Sequence, residues 1–356
     1  MIKTFEEVFE DKTKYGTKIK TEQYQKEGKN IIIDQGKEII SGYTDIQEGL
    51  FEDVPVIIFG DHTRIIKYVD RPFFLGADGV KILKSKFKDA NYKYLYYALR
   101  NIKIPNTGYN RHFKWLKEVE IEYPEIEIQT NIVKVLDKIV HIMNVKRKEI
   151  NNLNTLIKSR FTEMFGDPVS NSYDLPEATL SDLGEFGRGV SKHRPRNDIK
   201  LLGGKYPLIQ TGDIANAGLY ITSYSNTYSE LGLRQSKMWD KGTLCITIAA
   251  NIAKTAILEF DACFPDSVVG FIANERTNNI FIHYWFSFFQ AILESQAPES
   301  AQKNINLKIL SELKVIVPEK RKQDEFASFV KLIDKLKSHF LKLPVFSGLY
   351  VVKYTY

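Results

Sequence analysis

The strongest constraint on this fold is an internal duplication. Residues 110–125 and 304–319 align without a gap, 194 positions apart: Asn110 with Asn304, Lys114 with Lys308, Leu116 with Leu310, Glu118 with Glu312, and Pro124-Glu125 with Pro318-Glu319. A helical apolar pattern follows each Pro-Glu. The separation far exceeds the ~20–50-residue period of a solenoid. It predicts two homologous modules, each handing over to a helix, in a 356-residue chain long enough for two or three cores.

The modules repeat a mixed α/β order. In residues 1–124, Ile31 to Ile33 and Val54 to Phe59 are short apolar runs closed by turn residues, as in buried strands. Lys93 to Leu99 is a helix, and Val119 to Tyr123 a strand ended by Pro124. In residues 167–318 the counterparts, in the same order, are Leu244 to Ile248, Phe281 to Phe286, and Lys314 to Val317 before Pro318. Between the modules, residues 125–166 carry apolar slots spaced alternately by four and three: Ile132, Leu136, Ile139, Met143, Ile150, Leu153, Ile157 and Met164, with Lys146 and Arg160 filling the other two. That is a heptad seam, which requires a partner helix. As one continuous helix it would span about 60 Å at roughly 1.5 Å per residue. The partner is the helix over 319–343, with slots Phe326, Val330, Ile333, Lys337 and Phe340.

Composition excludes more than it selects. The net charge of +6 permits a nucleic-acid partner without requiring one. Cys245 and Cys263 sit in apolar runs, as buried reduced thiols do. There is no CxxC, HxxxH or HExxH, so no metal site is expected. The start lacks the apolar core of a signal peptide, and no apolar run is long enough to span a membrane, which predicts a cytoplasmic protein. The glycines from Gly184 to Gly189 follow the order GxxGxG, which is not a cofactor loop, and no phosphate-binding GxxxxGK[ST] exists. Base-flipping amino-methyltransfer lacks its Asn-Pro-Pro-aromatic run. Pro265-Asp266 opens like a nuclease motif, but Glu275 is followed by Arg276-Thr277 rather than x-Lys.

These residues resemble the specificity (S) subunits of type I restriction-modification systems. The resemblance rests on Pro124 to Gln129 leading into Val135 to Ile139, on Ser159 to Pro168, on Pro318-Glu319 with Gln323 and Ile333 to Leu336, and on Ile209 to Ile214. It implies two globular target recognition domains held apart by long antiparallel coiled-coil helices, with pseudo-twofold symmetry. It further implies recognition of a bipartite double-stranded DNA target, docking of two methylation subunits and a motor-nuclease subunit, and no catalysis or cofactor in this chain.

Candidate DNA contacts follow from residue chemistry. Lys192, His193, Arg194 and Arg196 on a Gly-flanked loop can meet phosphates or fork onto guanine; the competing reading is a solvated surface loop. Gln210 and Thr211 suit either adenine recognition or a plain turn before a strand. His62 and Arg64 follow a buried strand, where a reading loop or an ordinary hairpin turn would sit. Tyr109, Asn110, Arg111, His112 and Lys114 interleave basic and aromatic groups, and Lys303 and Asn304 occupy the same place in the second module. A capping or packing role competes there. Asn251 and Lys254 lie just past a strand.

The second copy departs from the pattern at its end. Pro344 interrupts the distal helix, and interior proline costs about 3 kcal/mol or more, so that helix should stop near Leu343. The stretch 344–356 reads as strand-like and apolar. A shortened partner would expose Leu153, Ile157 and Met164 along the far half of the central helix. Two further readings stand beside the first: a silent specificity-subunit variant, and a coiled-coil scaffold binding protein, which would lack salt-dependent duplex binding.

Overall fold

The computed structural model describes residues 1–76, 78–108, 110–249, 252–289 and 307–342. The chain packs as two units, Met1–Val145 and Lys146–Leu343. The first carries β1 (Ile2–Thr4), α1 (Phe5–Val8), β2 (Phe9–Asp11), β3 (Asn30–Ile33), β4 (Gly42–Thr44), β5 (Val56–Gly60), β6 (Ile66–Val69), β7 (Phe73–Leu75), β8 (Val80–Ser85), α2 (Tyr92–Asn101), α3 (Phe113–Leu116) and β9 (Glu120–Glu122). Helix α4 (Ile126–Phe165) crosses the boundary between the units.

The second unit continues with β10 (Glu177–Thr179), β11 (Gly184–Arg188), β12 (Leu202–Leu208), α5 (Thr211–Asn216), β13 (Tyr220–Ile221), β14 (Asn226–Tyr228), α6 (Glu230–Arg234), β15 (Met238–Trp239) and β16 (Leu244–Thr247). It ends with β17 (Thr255–Leu258), β18 (Ala262–Cys263), β19 (Val268–Ala273), α7 (Asn279–Trp285), α8 (Leu307–Glu312), β20 (Lys314–Ile316) and α9 (Lys320–Lys342).

The duplication extends to topology. Each unit closes on an antiparallel clasp, β1 with β9 (Lys3 opposite Ile121) and β10 with β20 (Ala178 opposite Val315). Both clasps lead into a capping box, which satisfies backbone donors at a helix start. Thr4 N donates to Glu7 Oε2 at 2.6 Å, and Thr179 N to Asp182 Oδ2 at 3.1 Å. The main sheets have orders β2-β8-β5-β6 and β11-β19-β16-β17-β13. A second sheet in each unit contains one parallel pair, β3 with β7 and β12 with β18.

The apolar runs follow from this layering. A strand covered on both faces buries every residue, and alternate side chains enter different cores. Ile57 and Phe59 join the core under α2 and α3, while Val56 and Ile58 point into the core shared with β3 and β7. In the second unit Leu244 and Ile246 face α7 and the end of α4, and Cys245 faces the other way among Ala256 and Val268. Both cysteines are buried free thiols, and burial pushes the Cys245 thiol well above its ordinary range.

One buried glutamine marks each hand-over to a helix. Gln129 Nε2 donates to Pro124 O and Gln323 Nε2 to Pro318 O, both at 2.8 Å and both 194 positions apart. The copies differ on the other side of the amide. Gln323 Oε1 accepts from Thr277 Oγ1 at 2.9 Å, whereas Gln129 Oε1 has no partner among the described residues. Ala90 occupies the corresponding turn: its N–H bonds Phe87 O as that of Thr277 bonds Asn274 O, and each precedes an Asn N-cap, Asn91 or Asn278.

The helix seam is corrected in two respects. Ile132 is 37% exposed and Val133 only 8%. Met143 and Ile157 are buried, and Leu136, Ile139, Ile150, Leu153 and Met164 are half-buried. A strict seven-residue repeat drifts by ~20° per heptad on a straight helix. Where α4 lies against its own modules, burial therefore steps by four, through Gln129 and Val133 at one end and Ile157, Phe161 and Phe165 at the other.

The expectation that Leu153, Ile157 and Met164 stand exposed is also overturned. The last turns of α4 meet the first turns of α9: Phe326 lies 5.4 Å from Phe161 and 5.6 Å from Phe165, ring to ring. Val330 and Ile333 share that core, and Phe161 stacks on Phe281 of α7 at 5.4 Å. In an antiparallel pair a short α9 covers the end of α4, not its start. The described part of α9 is 23 residues against 40 for α4. The Phe340 side chain and residues 344–356 lie outside the described residues.

Candidate nucleic-acid interface

In the second unit, β11 and β19 pair with Arg188 opposite Val269, and β16 pairs with Thr247 opposite Val268. The loop 189–198, the turn 265–267 and the connection that leaves β16 after Thr247 therefore depart from the sheet at one end. Gly189 N–H bonds Val268 O at 2.8 Å, and Ile248 N–H bonds Ser267 O at 3.0 Å. A Cβ at Gly189 would fall 2.2 Å from Phe264 O, so only glycine permits this approach.

The basic loop is built rather than loose. Gln235 Oε1 accepts from the N–H groups of Lys192 (2.7 Å) and His193 (3.0 Å). Asp266 ion-pairs with Arg196 at 2.6 Å and Arg194 at 3.6 Å, and its carbonyl takes Arg188 Nε at 3.0 Å. His193 Nε2 meets Asp198 Oδ2 at 3.1 Å. Asp198 is held below the usual carboxylate range by the Lys200 N–H and then by His193. Lys192 and Lys254 are exposed, and the Lys254 backbone closes the turn onto Thr247. The residue that opened like a nuclease motif, Asp266, thus clamps the arginines. Gln210 and Thr211 do not precede a strand as a plain turn would; they open α5, with Gln210 N–H bonded to Asp213 Oδ2 at 2.8 Å. Because β12 runs parallel to β18, they emerge beside the turn 265–267.

The first unit assembles its candidates through Asp61. Its N–H bonds Gly79 O at 2.7 Å, its Oδ1 accepts from Phe113 N at 2.7 Å, and its carbonyl accepts from His112 N at 2.8 Å. The hairpin turn with His62 and Arg64 is thereby joined to the loop with Asn110 and Arg111 and to the start of α3, which carries Lys114. His62 N–H bonds Gln35 Oε1 at 3.2 Å. Arg64, in the left-handed region at φ 62°, donates Nη1 to Ile104 O at 3.2 Å. Arg111 and Lys114 are exposed, the latter over the Trp115 ring at 4.2 Å, while Asn110 bonds back to Thr107.

His112 is corrected: it is 0% exposed, with Nδ1 3.0 Å from Asp61 O, and belongs to packing. Its alternation with basic neighbours resembled a reading loop, but only the tertiary contact with Asp61 decides which way it faces. Tyr109, Asn251, Lys303 and Asn304 lie outside the described residues.

Residues 1–155 and 174–342 match the family model of the type I restriction modification DNA specificity domain. The chain belongs to the type I restriction-modification specificity subunits. It is 23% identical over 353 residues to the EcoR124I/EcoR124II specificity subunit of Escherichia coli, covering 92% of this chain and 84% of that protein. It is 23% identical over 298 residues to the candidate MjaX specificity subunit of Methanocaldococcus jannaschii, covering 77% of this chain and 68% of that protein. In fold it is similar to the S subunit from M. genitalium, with a TM-score of 0.59, 19% identity, and coverage of 98% and 92%. A structure from work on complex assembly and conformational transition of the type I system gives 0.51 at 14% identity, covering 96% and 93%.

For a specificity subunit the correspondence of units adds residues that sequence reading missed. Lys12 N–H bonds Ile82 O at 2.8 Å, the contact that Gly189 makes with Val268. The segment holding Lys12, Lys14, Lys18 and Lys20 therefore occupies the place of the basic loop 189–198. Lys12 pairs with Glu10 at 2.9 Å and Lys18 with Asp78, while Lys14 and Lys20 are exposed. Lysines stand in this segment where the second module carries Gly184, Gly187 and Gly189. Among the described residues no helix is long and apolar enough to cross a membrane.

Proposed function

We propose that this specificity subunit is a non-catalytic reader of bipartite duplex DNA, each unit contacting one half-site and the helices docking two methylation subunits, with a motor-nuclease subunit joining for cleavage. The carrying observation is the repeated placement of basic loops at one end of each main sheet, 189–198 in one unit and 12–20 in the other. Phosphate contacts from such loops would set register, and side chains on adjacent turns would meet base edges. Exposed apolar residues along α4, Ile126, Ile128, Val135, Ile142, Val145 and Leu156, support a protein-docking role for the helix.

The test is genome-wide mapping of modified adenines with and without this gene. A two-part motif that disappears on deletion is expected. Duplex binding by the purified chain that does not weaken as salt rises would refute the reading.

A further inference from the structure

The first unit contains a cleft of about 810 Å³ between β6, α2, the loop 36–39 and Asp137 of α4. Its lining carries six cationic side chains, Lys37, Arg64, Lys67, Lys93, Arg100 and Lys103, and one carboxylate, Asp137. The lining thus carries a formal excess of five, offset in part by Asp34, whose Oδ1 lies 3.7 Å from Lys67 Nζ.

Asp137 is already engaged. Burial pushes its carboxyl up, but hydrogen bonds from Lys93 Nζ and Tyr97 Oη, each 2.7 Å, outweigh burial and hold it below the usual range. Lys67 is a wall support: 4% exposed, it donates to Asp34 O at 2.8 Å and to Glu38 O, fixing the loop that presents Lys37. Arg100 lies over the Tyr96 ring, 5.2 Å from its centroid, with Nη1 2.7 Å from Tyr96 Oη. Lys37 and Lys103 stand exposed at the mouth.

The second unit differs at this place. There β13 pairs with β17, Tyr220 opposite Ile257, on the side that β6 leaves as the outer strand. Counting from the N-caps Asn91 and Asn278, the positions of Lys93, Tyr96 and Arg100 hold Ile280, His283 and Ser287.

We propose that this cleft binds the phosphodiester backbone of duplex DNA beside the first half-site, a contact the second unit does not duplicate. The inference rests on the DNA-recognition reading above. Continuity favours DNA over an acidic protein: Thr63 and Arg64 line the cleft and belong to the same hairpin turn as the candidate reading residue His62. Guanidinium donors suit phosphate oxygens.

The test uses the full chain, a mixed-sequence linear duplex and a salt titration. Each phosphate contact contributes about 0.9 to the slope of log K against log salt, so a Lys37→Gln/Lys103→Gln variant should flatten the slope by about 1.8. A Lys192→Gln/Arg196→Gln variant in the second unit is the control. An unchanged slope in the cleft variant with a flattened slope in the control overturns the cleft and leaves the DNA reading standing. No change in either variant overturns both. Full DNA affinity in the cleft variant, combined with loss of poly-glutamate binding, assigns the cleft to an acidic protein and also overturns the inference.

Discussion

Replacing Thr277 with Val removes one hydroxyl from the second unit while keeping the side chain's shape. Thr277 Oγ1 donates to Gln323 Oε1 at 2.9 Å, and both residues are buried. Gln323 Nε2 keeps its bonds to Pro318 O and Arg276 O, so the amide cannot turn to recover the loss. The substitution leaves a buried acceptor without a donor, which costs about 1–3 kcal/mol. For a unit of this size that lowers Tm by roughly 2–4 °C per kcal/mol, or about 2–12 °C in all. Thermal unfolding gives the shift, and amide hydrogen exchange at α7 and α9 assigns it to the second unit. A Tm within a degree of the unaltered chain, with unchanged protection of α9, would refute the reasoning.

The complementary change Ala90→Thr supplies the donor that Gln129 Oε1 lacks, and is expected to stabilise the first unit by about 0.5–1.5 kcal/mol in urea unfolding. Phe161→Ala empties a site among Phe165, Phe281, Phe288 and Phe326 and should cost about 3–5 kcal/mol, whereas Ile132→Ala should cost under about 1 kcal/mol; equal losses would restore the simple heptad seam. Burial, reinforced by Lys337, lowers the His283 imidazole to about 4. Between pH 6.5 and about 4 the unfolded chain takes up a proton that the folded chain does not, so stability present above pH 6.5 falls by at most roughly 3 kcal/mol. His283→Gln should remove that component of the pH dependence, and an unchanged stability profile would count against it.

Much of this organisation was legible before any coordinates. The apolar runs at Val56 and Leu244 became strands buried on both faces, and the Tyr94 and Phe281 segments became helices, because local periodicity and caps act within a few residues. The duplication located the same clasp and the same glutamine in both units. The orientation of individual polar side chains was not legible. His112 and Lys114 sit two positions apart in one basic-aromatic run, yet one is buried against Asp61 and the other is exposed. Asp266 looked like a broken catalytic motif and instead clamps Arg196, 70 residues away, together with Arg194.

The sequence by itself determined the two-module plan, the strand and helix alphabet, and the family, since these depend on periodicity, spacing and repetition along the chain. Tertiary structure alone decided which face of α4 is buried, which lysines correspond to the basic loop, and that a cationic cleft exists beside β6. Those properties arise where segments far apart in sequence converge, and the free energy of burying or pairing a side chain depends on what arrives beside it.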